Sequence, residues 1–262
     1  MPDPATMSKL GFLSLDSTLD PGHQKAITFA REHATHVVGE LRAHREGILS
    51  DPHINERGRQ DRLRQGLAVG HQAIVAVFNG ARKEITPTRD TAVSALGSRM
   101  WTGVDTNPDR LGRVQDRLFQ VLQRDPVPSK FPTDATSGHA LLLAGGKSLS
   151  LLSEMLRTSS LDDARLLVLA AKKADPLTRH MLGGPVVIDS LTAALTDRLV
   201  AEDPEAAKCH ADIAAVDGLL SMVQGDEKHA LEFAAKALGL PVESLNSFKP
   251  DPIKAAVVRK SA

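Results

Sequence analysis

The sequence predicts an all-α protein: a long N-terminal antiparallel helical hairpin, then a bundle of shorter helices, with an extended arm at each end. Three observations lead there. The chain has 262 residues with 42% hydrophobic and 24% charged side chains, ordinary globular values that leave aside disordered, collagen-like and disulfide-scaffold classes. Aromatic side chains are only 3%, with one Trp, no Tyr and seven Phe, a composition poor in the residues that strands favour. Apolar positions recur every three or four residues, and Asp-Pro or Asn-Pro pairs mark where one such run gives way to the next.

Residues 1–20 mix Pro, Asp, Ser and Thr with isolated apolars (Leu10, Phe12, Leu13, Leu15) and read as an extended arm. Asp20-Pro21 is an N-cap followed by Pro at the first helical position. Ile27, Ala30, Ala34, Val37, Val38, Leu41 and Ile48 then keep helical spacing, so a first helix is expected over 21–49. Ser50-Asp51-Pro52 stops it. Asn55 caps a second helix over 56–85, whose apolar stripe is Leu63, Leu67, Gly70, Ile74, Phe78, Ala81 and Ile85. Two helices of similar length joined by a tight turn are expected to lie antiparallel. Pro87 breaks the pattern before a short helix carrying Ala92, Val93, Leu96 and Met100, and Asn107-Pro108 opens another that runs to 124. A helical hairpin domain is therefore expected over 21–124.

Residues 125–138 hold three prolines and little periodicity, the composition of a linker. A C-terminal helical domain follows over 139–239, with helices expected at 139–157, 160–174, 177–182, 185–201, 204–223 and 227–238. Ser160 with Asp163 three residues on is a capping-box opening, Gly184-Pro185 and Asp203-Pro204 place Pro in a first turn, and Gly239 sits just past an end. Residues 240–262 read as an extended tail ending in Arg259-Lys260.

Thirty-two basic residues balance thirty-two acidic ones, so no global field of the kind that coats nucleic acid or an anionic membrane is present. A single cysteine, Cys209, forms no internal disulfide and fits a reducing compartment. The first residues lack an apolar signal core, and no apolar run approaches the roughly 20 residues of a membrane span. A cytoplasmic protein with no membrane partner is the expectation.

Few residue patterns carry chemistry. Arg57, Arg59, Arg62 and Arg64 crowd four guanidinium groups into eight residues, a candidate surface for phosphate or carboxylate. Glu56 and Asp61 interleave with them, and no aromatic lies among them to stack on a base, so a salt-bridged helix face or an acidic protein partner fits better than nucleic acid. His33, His36, Glu40 and His44 fall on one side of the first helix. His33 and His44 are too far apart along the axis, about 16 Å, to share one ion, and the stripe reads as a polar flank with no metal assigned. His71 reads as a histidine on the apolar seam, and Trp101 as a core plug or interface anchor. Ala144-Gly145-Gly146-Lys147-Ser148 imitates a phosphate-binding loop but has Leu141 where that pattern needs glycine. No nucleophile elbow, zinc-peptidase helix, Cys-x-x-Cys or dinucleotide fingerprint occurs, and neither catalytic residues nor a cofactor are assigned.

Residues 42–67 carry an Ile48-Leu49, Asp51-Pro52 helix end, a polar cap, then Glu56, Gly58-Arg59 and a basic helix. This stretch resembles a helical-hairpin turn of uncharacterised structural, virion-associated proteins of tailed bacteriophages. The resemblance implies a non-enzymatic structural or assembly protein that packs against other subunits, as a homo-oligomer or within a multi-protein assembly, first in the host cytoplasm and then in the virion. The alternative is a nucleic-acid-associated regulator using the Arg57–Arg64 cluster. Terminal arms with little to bury on their own chain are expected to dock on neighbours.

Overall fold

A computed structural model describes residues 10, 12, 14–16, 19–104, 107–124, 147–182 and 185–248. Among these are eight α-helices and no strand: α1 (Pro21–Ser50), α2 (Glu56–Trp101), α3 (Pro108–Arg124), α4 (Lys147–Thr158), α5 (Leu161–Lys173), α6 (Pro176–Met181), α7 (Pro185–Glu202) and α8 (Pro204–Ala237), then a 3₁₀ segment, Val242–Phe248. The all-α class is as the sequence predicts. The Pro-rich stretch 125–138, residues 139–146 of the helix expected at 139–157, and residues 249–262 lie outside the described residues. No helix among the described residues is long and apolar enough to cross a membrane.

Helix starts follow from side-chain oxygens placed to accept the first free N–H groups. The Asp20 carboxylate accepts from Gly22 and His23 at 2.8 and 3.2 Å. Asn55 accepts from Gly58 at 2.8 Å, Asn107 from Asp109 at 2.9 Å and Asp203 from Glu205 at 2.9 Å. The Ser160 hydroxyl accepts from the Asp163 N–H, the N-cap half of the anticipated capping box, and donates to the Asp163 carboxylate. Asp175 caps α6 in the same way, accepting from Leu177 and Thr178. Asp175-Pro176 repeats the Asp20-Pro21 signature, so the start of α6 at 176 was legible from the same signal.

Two helices run on where breaks are expected. α2 continues through Pro87 to Trp101, although an interior proline removes one backbone donor and crowds the preceding turn. Tertiary contacts hold both flanks of the proline: Arg82 pairs with Glu227, Arg89 Nε meets Asp217 at 2.5 Å, and His23 Nε2 lies 3.0 Å from the Thr88 hydroxyl. α8 is likewise continuous across 224–226. There Asp226 is buried against Arg31 and does not cap a new helix.

The chain gathers into two compact units, Met1–Arg89 with Ala214–Ala262, and Asp90–Ile213. The division falls inside α2 and α8, whereas the sequence reading places it at 125–138. The reason is burial. A two-helix hairpin has no third surface to close its core, and Val216, Val223, Ala230, Ala234, Ala235 and Leu238 supply it, buried together with the apolar stripes of α1 and α2.

In the first unit, Ile27, Leu67, Ile74, Phe78 and Ile85 are fully buried. Gly70 matters for close approach, because a Cβ there would lie 2.6 Å from Leu41 Cδ1. α8 ends in a Schellman motif: the Leu240 N–H donates to the Ala235 carbonyl and the Gly239 N–H to Lys236, with Gly239 at φ +71°. The segment from Pro241 then winds as a 3₁₀ turn, where an extended tail is expected. The N-terminal arm also departs from expectation. Leu10 is buried in this core, with Phe12 and Leu15 packed on it, so the described part of the arm finds apolar cover on its own chain.

In the second unit, α5 is central, packing against α3, α4, α6 and α7. Ala164, Leu166, Leu167, Val168, Ala170 and Ala171 are buried almost all round it, as a helix enclosed by neighbours requires. Arginines serve helix C-termini, where carbonyls lack intrahelical partners. Arg165 donates to the Arg99 and Thr102 carbonyls at 2.9 and 3.4 Å, Arg198 to Leu156, and Arg179 to Ala174 at 2.7 Å.

Candidate functional site

A polar constellation lies in the first unit, along the seam of α2 with α8. An open cleft of about 780 Å³ is lined by His71 and Arg82 of α2, by Ser221, Gln224, Glu227, Lys228, Leu231 and Glu232 of α8, and by Val242, Glu243, Leu245 and Asn246 of the 3₁₀ segment. That volume lies within the range of small-molecule sites. Helical spacing explains the α8 wall, since 221, 224, 228 and 231–232 recur at three or four residues and share one side.

Charge in the cleft is partly cancelled. Arg82 and Glu227 pair across it, leaving Lys228 opposed by Glu232 and Glu243. Burial holds the His71 imidazole below the ordinary histidine value, and the charge of Glu227 pulls the other way. Burial thus favours the neutral imidazole, which can donate at one nitrogen and accept at the other. With the hydroxyl of Ser221 and the amides of Gln224 and Asn246, the walls can hydrogen-bond a polar ligand of mixed charge. The cleft was not legible in the sequence, because residues 150 positions apart form it.

A buried ion pair joins α1 to α8. Arg31 NH2 is 2.7 Å from Asp226 Oδ2, with both side chains about 5% exposed. The Arg31 guanidinium also stands over the Phe12 ring at 5.2 Å, and its carbonyl accepts from the Thr35 hydroxyl at 2.8 Å.

The four arginines of the predicted cluster do not form one patch. At about 100° per residue, Arg57 and Arg64 fall about 20° apart on one flank of α2, with Asp61 between them along the axis, whereas Arg62 is about 140° round. Arg59 is half-buried and turned down to the Asp51 carbonyl at 3.3 Å. Arg57, Arg62 and Arg64 are exposed, and among the described residues none of the three pairs with a carboxylate, unlike the salt-bridged face expected.

Of the histidine stripe of α1, His36, Glu40 and His44 are exposed, His33 is half-buried, and the His44 ring lies close to Gly66 of α2. His33 stacks on Phe29, ring centroids 6.0 Å apart. His36 Nε2 lies 3.2 Å from Glu40 Oε1, with both side chains about two-thirds exposed. No group of three or more His, Cys, Asp or Glu is gathered for a metal among the described residues. Trp101 is half-buried on the core of the second unit, with Lys172 Nζ 5.2 Å over its ring, and Cys209 packs partly on the same core.

A second, smaller pocket of about 250 Å³ opens in that unit between α3, α4 and α5, with Val114, Leu118, Val121, Leu152, Met155 and Leu167 as apolar walls and Arg117 and Asp163 among its polar lining. The Ser160 hydroxyl and the Arg110 guanidinium hold the Asp163 carboxyl below its usual range, so this carboxylate is committed to helix capping and an ion pair. Set beside known proteins, the chain matches no family profile, no curated protein and no solved structure.

Proposed function

We propose that this chain is a non-enzymatic structural or assembly subunit, of the tailed-bacteriophage virion-associated kind that residues 42–67 resemble, acting through contacts of its helices with other copies. The observation that carries the reading is that, among the described residues, Phe29 on α1 and Val69 on α2 are the most exposed large apolar side chains, at 61% and 69%, on helices whose opposite faces are buried. Covering such side chains at a contact between copies would remove their apolar area from water. Leu10 is covered by its own chain, so the reading rests on the helices and not on the N-terminal arm.

The test is mass by light scattering coupled to size-exclusion chromatography, in EDTA, over micromolar to hundreds of micromolar protein. Wild type is expected as a multiple of 28.1 kDa, and Phe29→Asp with Val69→Asp as a folded monomer by circular dichroism. A wild type that stays monomeric over the whole range overturns the reading. The regulator alternative finds less support in the geometry, because the arginines it needs are spread over two flanks of α2. Binding to DNA that weakens steeply with salt would restore it.

A further inference from the structure

We propose that His36 and Glu40 form a two-point chelate for a borderline divalent cation such as Zn²⁺ or Ni²⁺ on the outer face of α1. The two residues stand one helical turn apart, four positions, on the same side of a 30-residue helix. Their donor atoms, His36 Nε2 and Glu40 Oε1, already converge to 3.2 Å. A zinc ion binds imidazole nitrogen and carboxylate oxygen at about 2.1 Å, which sets two such ligands about 3.4 Å apart in tetrahedral geometry and about 3.0 Å apart as octahedral neighbours. The observed separation falls between these, so an ion can replace the direct contact with no movement of the backbone.

Access and donor type agree. Both side chains are about two-thirds exposed, so an ion reaches them from solvent and water fills the remaining positions. One imidazole with one carboxylate selects Zn²⁺, Ni²⁺ or Cu²⁺ over Mg²⁺ and Ca²⁺, which prefer oxygen alone. His33, on the preceding turn, is held in its stack with Phe29 and is not part of the chelate. Two donors from one chain leave room for the same pair of a second copy.

The experiment is isothermal titration of the full chain with ZnCl₂ and, separately, MgCl₂, with the mass followed by light scattering at each zinc ratio. Variants are His36→Ala and Glu40→Ala, with His53→Ala, an exposed histidine in the α1–α2 turn, as control. Alanine at exposed helical positions keeps the fold, which circular dichroism checks. Zinc affinity is expected to drop at least ten-fold in each of the first two variants, to hold in His53→Ala, to vanish with EDTA and to be absent with magnesium. One equivalent at constant mass means water completes the site, and half an equivalent with doubled mass means a second copy does; either supports the chelate. Zinc affinity unchanged in His36→Ala or in Glu40→Ala overturns it. Because the assembly test is run in EDTA, failure of either idea is visible without the other.

Discussion

Arg31 and Asp226 show how much a single pair of side chains depends on the rest of the chain. Each charge alone would be costly to bury, and together they form a buried ion pair in which Arg31 Nε donates to Asp226 Oδ2 at 2.7 Å. Asp226→Ala leaves the guanidinium buried without its carboxylate and is expected to lower unfolding free energy by about 3–5 kcal/mol, read from urea denaturation. The double change Arg31→Met with Asp226→Leu, which removes both charges, is expected to recover most of that loss. Recovery below a quarter would mean that the pair is itself a net source of stability. The sequence did not mark this pair: Arg31 sits beside an apolar stripe, and the Gln224-Gly225-Asp226 stretch reads as a break between helices. Only the contact of two helices 195 positions apart gives Asp226 its role. The arginine run is the converse case, conspicuous in sequence and dispersed by the helix that carries it.

At the scale of elements, starts were legible and continuity was not. An N-cap is a local event, one side-chain oxygen meeting N–H groups two or three residues on, and Asp20, Asn55, Asn107, Ser160 and Asp203 do this where their sequence context says they should. Whether a helix survives a proline depends on what its flanks touch. Pro87 lies between Arg82, paired with Glu227, and Arg89, paired with Asp217, on a helix whose Ala81, Ile85, Ala92 and Leu96 are buried, so burial and ion pairs together hold the helix on both sides of the proline. Pro87→Ala restores the missing N–H toward the Lys83 carbonyl and relieves the ring, so it is expected to stabilise the protein by about 1–3 kcal/mol. The urea midpoint checks it, and a lowered midpoint would mean that the proline's own packing matters more than its backbone cost.

At the scale of the whole molecule, the first unit is built from both ends of the chain and the second from its middle. A fragment spanning 1–124 contains the hairpin but lacks the α8 residues that cover Ile74, Phe78 and Ile85. It is expected to be unfolded or aggregated. A fragment spanning 90–213 keeps α3 to α7 and the core around α5, and is expected to unfold cooperatively with urea. Circular dichroism with denaturant titration of both fragments decides this, and a stable, cooperative 1–124 would restore the division at the Pro-rich stretch.

The sequence by itself determined the helical class, the buried stripes of α1 and α2, and most helix starts, because periodicity and capping act over three to seven residues. The tertiary structure alone decided that α8 completes the N-terminal core, that Leu10 is covered by its own chain, and that His71 and Glu227 share one cleft. Those outcomes follow from which apolar faces find each other across the chain, and burial is blind to sequence distance once loop closure has been met. The same reason explains why the outward residues Phe29 and Val69 stand out only after the inward ones are placed.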